Sequence, residues 1–185
     1  LEFAQAIIGA AAAQKSPVII QTSAGAIEYG GLHQLAAIVR SLAKEASVPV
    51  VLHLDHGQSL AQVKACIEVG YTSVMIDASK KTLAENIAVT SEVVEYAHAR
   101  NVWVEAELGA ILGTEGALQL RGELAPVDLM TKPADVASFI SETKVDALAV
   151  SVGTIHGAFT GQEYIRFELL RRIEAVAPNF PLVLH

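Results

Sequence analysis

One cysteine in 185 residues, Cys66, rules out an internal disulfide and fits a reducing cytoplasm. Cations are also scarce. Thirteen Lys and Arg against twenty Asp and Glu leave a net charge of −7 and a pI near 5.3, which argues against nucleic acid or an anionic membrane as the main partner. Long apolar runs are missing: the longest stretches resemble IIGAAAA from Ile7, far short of the ~20 residues a membrane span needs. No signal peptide is visible at Leu1. Neither G-x-G-x-x-G nor G-x-x-x-x-G-K-[ST] follows any expected strand, so the usual nucleotide cradle is absent. What is present in quantity is apolar surface. Fifty-two per cent hydrophobic residues and a mean hydropathy of +0.41 suffice for a large core in one domain spanning residues 1–185, and small-molecule chemistry is the default.

The chain alternates between two periods. Residues 1–14 read as an amphipathic or largely buried helix carrying Phe3, Ile7 and Ile8. VIIQT from Val18 is a first strand ending at Ser23, followed by the small-residue loop AGAIEYGG. Helices near residues 32–46, 59–68 and 83–99 alternate with strands at 48–57, 73–76 and 102–108. The connection 109–131 is long and carries Gly109, Gly113, Gly116 and Gly122, which reads as a mobile lid because such loops run to ~2–6 residues. Thr131 and Pro133 open a helix to about residue 142 by cap and first-turn preference. A strand at 147–152, a helix at 167–176 and a final VLH follow. Six strands alternating with helices predict a parallel sheet with right-handed crossovers, either doubly wound or a (β/α)8 barrel. Polar residues at nearly every strand end favour the barrel, since one ring of loops then surrounds a common centre. A barrel needs ~250 residues, so the expected architecture is an incomplete TIM barrel lacking its first and last elements.

The centre of interest is VPVVLHLDHG, from Val48 to Gly57. An apolar strand ending in two imidazoles and a carboxylate buries titratable chemistry that needs a reason. His53 and Asp55 share a face, with His56 at the mouth. Of six histidines, His33 and His98 fall on helices, whereas His53, His56, His156 and His185 fall at strand ends. Three imidazoles from three strands with carboxylates between them match a catalytic zinc site that keeps one coordination position open. His53, mid-strand and inward, is assigned to packing or to orienting a ligand.

LHLDHG, SVMIDAS, VEAELG, DALAVSVGTIHG and PLVLH, in this order, resemble the class II, zinc-dependent fructose-bisphosphate and tagatose-bisphosphate aldolases over essentially the whole chain. The resemblance implies His56, His156 and His185 as zinc ligands, Asp77 and Glu107 as a second metal position, and Asp55 as proton donor and acceptor at the substrate C4 hydroxyl. It also implies that Glu115 is the mobile carboxylate exchanging the C3 proton, and that Ser23 and Gly157 lie near substrate phosphate. The cofactor implied is Zn2+, at one or two sites, with another divalent metal as the variant. Cleavage of a phosphorylated sugar to dihydroxyacetone phosphate and glyceraldehyde 3-phosphate, a dimeric or tetrameric assembly and a cytoplasmic setting follow from the same resemblance. The competing chemistry is a Schiff-base lysine. All seven lysines fall in expected helices or loops, which favours the metal route. Thr160 stands where fructose enzymes commonly carry a lysine, and Thr114 replaces one of two consecutive loop acids. A zinc hydrolase on the same fold and a non-catalytic metal- or sugar-phosphate-binding barrel are the alternatives.

Overall fold

A computed structural model describes residues 1–111, 113, 118–120, 127–156, 158–159 and 165–185. The chain forms two compact units, one of Leu1–Asp77 with Glu92–Val104, the other of Ala78–Ser91 with Glu105–His185. The hydrogen-bonded strand order is β1-β2-β3-β4-β6-β8, and β5 pairs separately with β7.

The first unit contains α1 (Glu2–Ala13), β1 (Val18–Ser23), α2 (Ala24–Gly30), α3 (Leu32–Glu45), β2 (Val50–Gly57), α4 (Leu60–Glu68) and β3 (Ser73–Ile76). It also holds most of α5 (Leu83–His98) and the first residues of β4 (Trp103–Leu108). β1 lies parallel to β2, in register from Val18 opposite Val50 to Ser23 opposite Asp55. Leu54, Val63, Val74 and Val93 form its buried centre.

Two expectations change here. AGAIEYG is a helix, because Ser23 caps it by accepting the Ala26 N–H at 3.3 Å, and short residues cost little against that cap. Helix α1 is only thinly buried: Ile8 packs inward while Phe3 is 86% exposed.

The β2 to β3 register explains the geometry of LHLDHG. Leu54 faces Val74 and Gly57 faces Ile76, so β2 carries one extra residue between those points, a β-bulge. His56 absorbs it with φ +47, the left-handed region that ordinary side chains seldom enter. Gly57 then runs so close to β3 that a Cβ would lie 2.4 Å from the Met75 carbonyl oxygen, and the Asp77 N–H donates to the Gly57 carbonyl at 2.9 Å. The bulge therefore turns His56 out of the plain alternation and brings it beside the residue that follows β3.

The second unit contains the rest of α5 and β4, with β5 (Leu118–Leu120), a 3-10 turn (Val127–Leu129), α6 (Pro133–Thr143), β6 (Ala147–Val150), β7 (Ala158–Phe159), α7 (Phe167–Val176) and β8 (Leu182–Val183). β4 pairs parallel with β6, Glu105 opposite Ala147, and β6 pairs parallel with β8, Ala149 opposite Val183. Phe139, Val136, Leu148 and Ile173 are fully buried. Helix α5 opens with a reciprocal cap: the Glu85 N–H donates to Thr82 Oγ1 and the Thr82 N–H to Glu85 Oε2, the T-x-x-E signature.

The expected cap at Thr131 is not made. Lys132 holds the N-cap position of α6 with Pro133 in the first turn. The Thr131 hydroxyl is used elsewhere, accepting the Ser151 N–H at 2.8 Å and donating to the Leu108 carbonyl, so it stitches the ends of β4 and β6. The connection 109–131 is also not wholly irregular, because β5 and the 3-10 turn lie within it. Most of the expected lid lies outside the described residues.

Candidate functional site

Among the described candidates, Ser23, Asp55, His56, Asp77, Glu107 and His185 sit at or within two residues of the C-terminal end of a strand, the edge on which barrel active sites are built, and His156 lies in the loop after β6. In the first unit Asp55 is buried and its Oδ1 accepts a long hydrogen bond, 3.4 Å, from the Gln21 amide on β1. The same oxygen is 4.0 Å from His56 Nε2. His56 Nδ1 is 3.1 Å from Asp77 Oδ2, both half-buried. A carboxylate can only accept, so Nδ1 carries the proton and Nε2 is left with its lone pair. His53 is buried with Nδ1 2.7 Å from the Ser73 hydroxyl. Ser23 caps α2 with the oxygen that the sequence assigned to phosphate.

In the second unit two imidazoles converge. His156 Nε2 and His185 Nδ1 are 3.5 Å apart, with rings nearly perpendicular at 84°. The far nitrogen of His185, Nε2, is 2.9 Å from Glu105 Oε1. That bond puts the proton on Nε2 and leaves Nδ1 aimed at His156 as an acceptor. His156 Nε2 can meet that acceptor as an N–H donor or, with its own lone pair, across a shared cation. A hydrogen bond would draw the nitrogens to about 3 Å. Two imidazoles on one tetrahedral zinc, each at 2.0–2.1 Å, stand roughly 3.3 Å apart. The observed 3.5 Å is longer than both, so the pair is open to a metal without the distance choosing one, and neutral imidazole is a ligand zinc accepts readily. Glu107 is fully buried, with Oε1 accepting the Ile111 N–H at 3.1 Å, while the Asn86 amide donates to the Glu107 carbonyl at 2.9 Å.

Of the sequence-assigned residues, the first unit thus joins Asp55, His56 and Asp77, and the second joins His156 and His185. Glu115, Gly157, Thr114 and Thr160 lie outside the described residues. Glu105 and Gln21 carry contacts that sequence reasoning did not assign. Glu105 had a signal, since it alternates with Glu107 on one face of a buried strand.

Nucleophilic alternatives are poorly served. Cys66 is buried in α4, and burial pushes its thiol up to about 11, so it is not a thiolate at neutral pH. The seven lysines all lie outside the strands.

Comparison with known proteins decides the family. The model of the family described as "Fructose-bisphosphate aldolase class-II" matches residues 1–185. The chain belongs to the class-II fructose-bisphosphate aldolase family. As an aldolase-family chain it is 43% identical over 189 residues to fructose-bisphosphate aldolase of Streptococcus pyogenes serotype M6, covering 100% of this chain and 62% of that one. It is 46% identical over 187 residues to the Thermus caldophilus fructose-bisphosphate aldolase, covering 60% of it. Among solved structures, the YdjI aldolase of Escherichia coli K12 aligns with TM-score 0.85 at 34% identity, covering all of this chain and 63% of the other. The fructose-bisphosphate aldolase of Campylobacter jejuni aligns with TM-score 0.78 at 27% identity, covering 61% of that chain. The chain thus spans about 62% of the length of the curated relatives it matches. Its fold class is α/β, an incomplete (β/α)8 barrel. Among the described residues no helix is long and apolar enough to cross a membrane.

Proposed function

We propose that the protein carrying this aldolase-family chain is a cytoplasmic, metal-dependent ketose-bisphosphate aldolase. The reaction is the reversible cleavage of fructose 1,6-bisphosphate or tagatose 1,6-bisphosphate to dihydroxyacetone phosphate and glyceraldehyde 3-phosphate. The observation that carries the reading is the pair of imidazole nitrogens 3.5 Å apart, one of them oriented by a buried carboxylate. We assign His56, His156 and His185 as ligands of a divalent cation, Zn2+ by the all-nitrogen donor set, and Asp77 and Glu107 as an alternative metal position. The bound cation supplies Lewis acidity at the C2 carbonyl.

The chain's own residues do the rest. Asp55, held by Gln21 beside His56, takes the C4 hydroxyl proton in cleavage and returns it in condensation. Glu115 exchanges the proton at C3. Ser23 and Gly157 bind near the substrate phosphate. Residues 1–185 are read as one truncated barrel domain of a homo-oligomer, a dimer or tetramer.

The test uses the full-length protein. Cleavage of both bisphosphates is measured before chelation, after chelation and after zinc return. Loss and recovery of activity with one sugar preferred supports the reading and names the substrate. Activity that survives chelation, or none with either sugar, overturns it in favour of a binding barrel or another chemistry.

A further inference from the structure

The contact between Glu105 and His185 joins strands that are not neighbours. β6 lies between β4 and β8, and the β6 residues in register beneath the contact are Ala147, opposite Glu105, and Ala149, opposite Glu107 and Val183. Register partners share a face, and His185 follows two residues beyond Val183, just past the end of β8. Strand spacing puts β4 and β8 about 9.5 Å apart, a gap that a glutamate and a histidine can close only over side chains as small as alanine. They close it: Glu105 Oε1 meets His185 Nε2 at 2.9 Å, with side chains 8% and 5% exposed. A carboxylate buried to that degree costs free energy unless its hydrogen bond does something.

We infer that Glu105 is a positioning residue that selects the tautomer and ring orientation of His185, fixing Nδ1 as its metal-facing atom. The inference rests on the metal reading above and adds a role to a residue outside the ligand set. As an acceptor on Nε2–H, Glu105 keeps the proton away from Nδ1, and as a negative charge it makes the imidazole a better donor. The arrangement mirrors that of His56, whose Nδ1 faces Asp77, so the two histidines offer opposite ring atoms, each set by its carboxylate.

The experiment compares Glu105→Gln, Glu105→Ala, Glu105→Asp and His185→Ala in the full-length protein. Zinc affinity is read by competition with a chelator, and the His185 tautomer by long-range 1H–15N correlation of the metal-free, histidine-labelled protein. Glu105→Gln keeps the size of the side chain, so it remains readable where the alanine variant fails to fold. The expected result is a 10–100-fold loss of zinc affinity in Glu105→Gln and Glu105→Ala. A smaller loss is expected in Glu105→Asp, and His185 should pass from the Nε2-protonated form to a mixture of tautomers. Wild-type zinc affinity in the Gln variant, with affinity lost in His185→Ala, would overturn the role of Glu105 and leave the metal site standing. Wild-type affinity in His185→Ala would instead overturn the metal site, and this inference with it.

Discussion

A thiol enclosed in α4 is a useful contrast to a side chain kept for chemistry. Burial holds the Cys66 thiol protonated, with a value raised to about 11, so iodoacetamide at pH 8 should label it far more slowly in the folded protein than in urea. The sign of the linkage follows. The protonated form is the one the fold favours, so the stability it contributes is intact below the ordinary thiol value of about 8.5 and is lost as the pH rises through about 11. Asp55 is the opposite case, buried yet held by an amide and set 4.0 Å from an imidazole nitrogen. Asp55→Ala should lower kcat for bisphosphate cleavage by about 10²- to 10⁴-fold, the range for a lost general acid–base, while zinc content stays at the wild-type level. Unchanged kcat would remove Asp55 from the mechanism. These residues were legible in the sequence because His53, Asp55 and His56 end an apolar run, where polar side chains need a purpose. For Glu105 the face was legible, since it alternates with Glu107, but the partner was not, because His185 lies 80 residues away and only the sheet order brings them together.

At the scale of the element, strand and helix periods were readable nearly to the residue, as in β3 at Ser73–Ile76 and α7 at Phe167–Val176. What periodicity missed were places where one side chain redirects the backbone. A serine cap turned an expected loop into α2, and one extra residue in β2 produced the bulge that aims His56. Gly57→Ala should expose the second effect. Its Cβ has backbone 2.4 Å away, so β2 and β3 must part, at a cost of about 1–3 kcal/mol in denaturant unfolding together with weaker zinc binding. Thr131→Val tests the stitch between β4 and β6. The shape is nearly kept while the Ser151 N–H and the Leu108 carbonyl lose their shared partner, and a loss of about 1–3 kcal/mol is expected in the same measurement. A change below a few tenths would mean that water replaces the hydroxyl.

For the molecule as a whole, the division into two compact units crosses the chain three times, first in the loop after β3 between Asp77 and Ala78. The other two crossings pass through α5, between Ser91 and Glu92, and through β4, between Val104 and Glu105. Neither unit can melt without breaking a helix and a strand that the other also uses, so calorimetry of the full-length protein should give one transition across this region. Zinc at 100 times its Kd should raise unfolding free energy by about 3 kcal/mol, an increment that chelation removes. The distribution of lysines has a practical corollary. Six of the seven are exposed and none lies in a strand, whereas the assigned ligands sit at strand ends. Lys15, Lys44 and Lys144 precede β1, β2 and β6, on the opposite edge from the assigned ligands, whereas Lys80, Lys81 and Lys132 follow β3 and β4 on the same edge. Coupling confined to the first three would tether the protein to a bead or a sensor chip with its reaction centre left open to substrate in the flow.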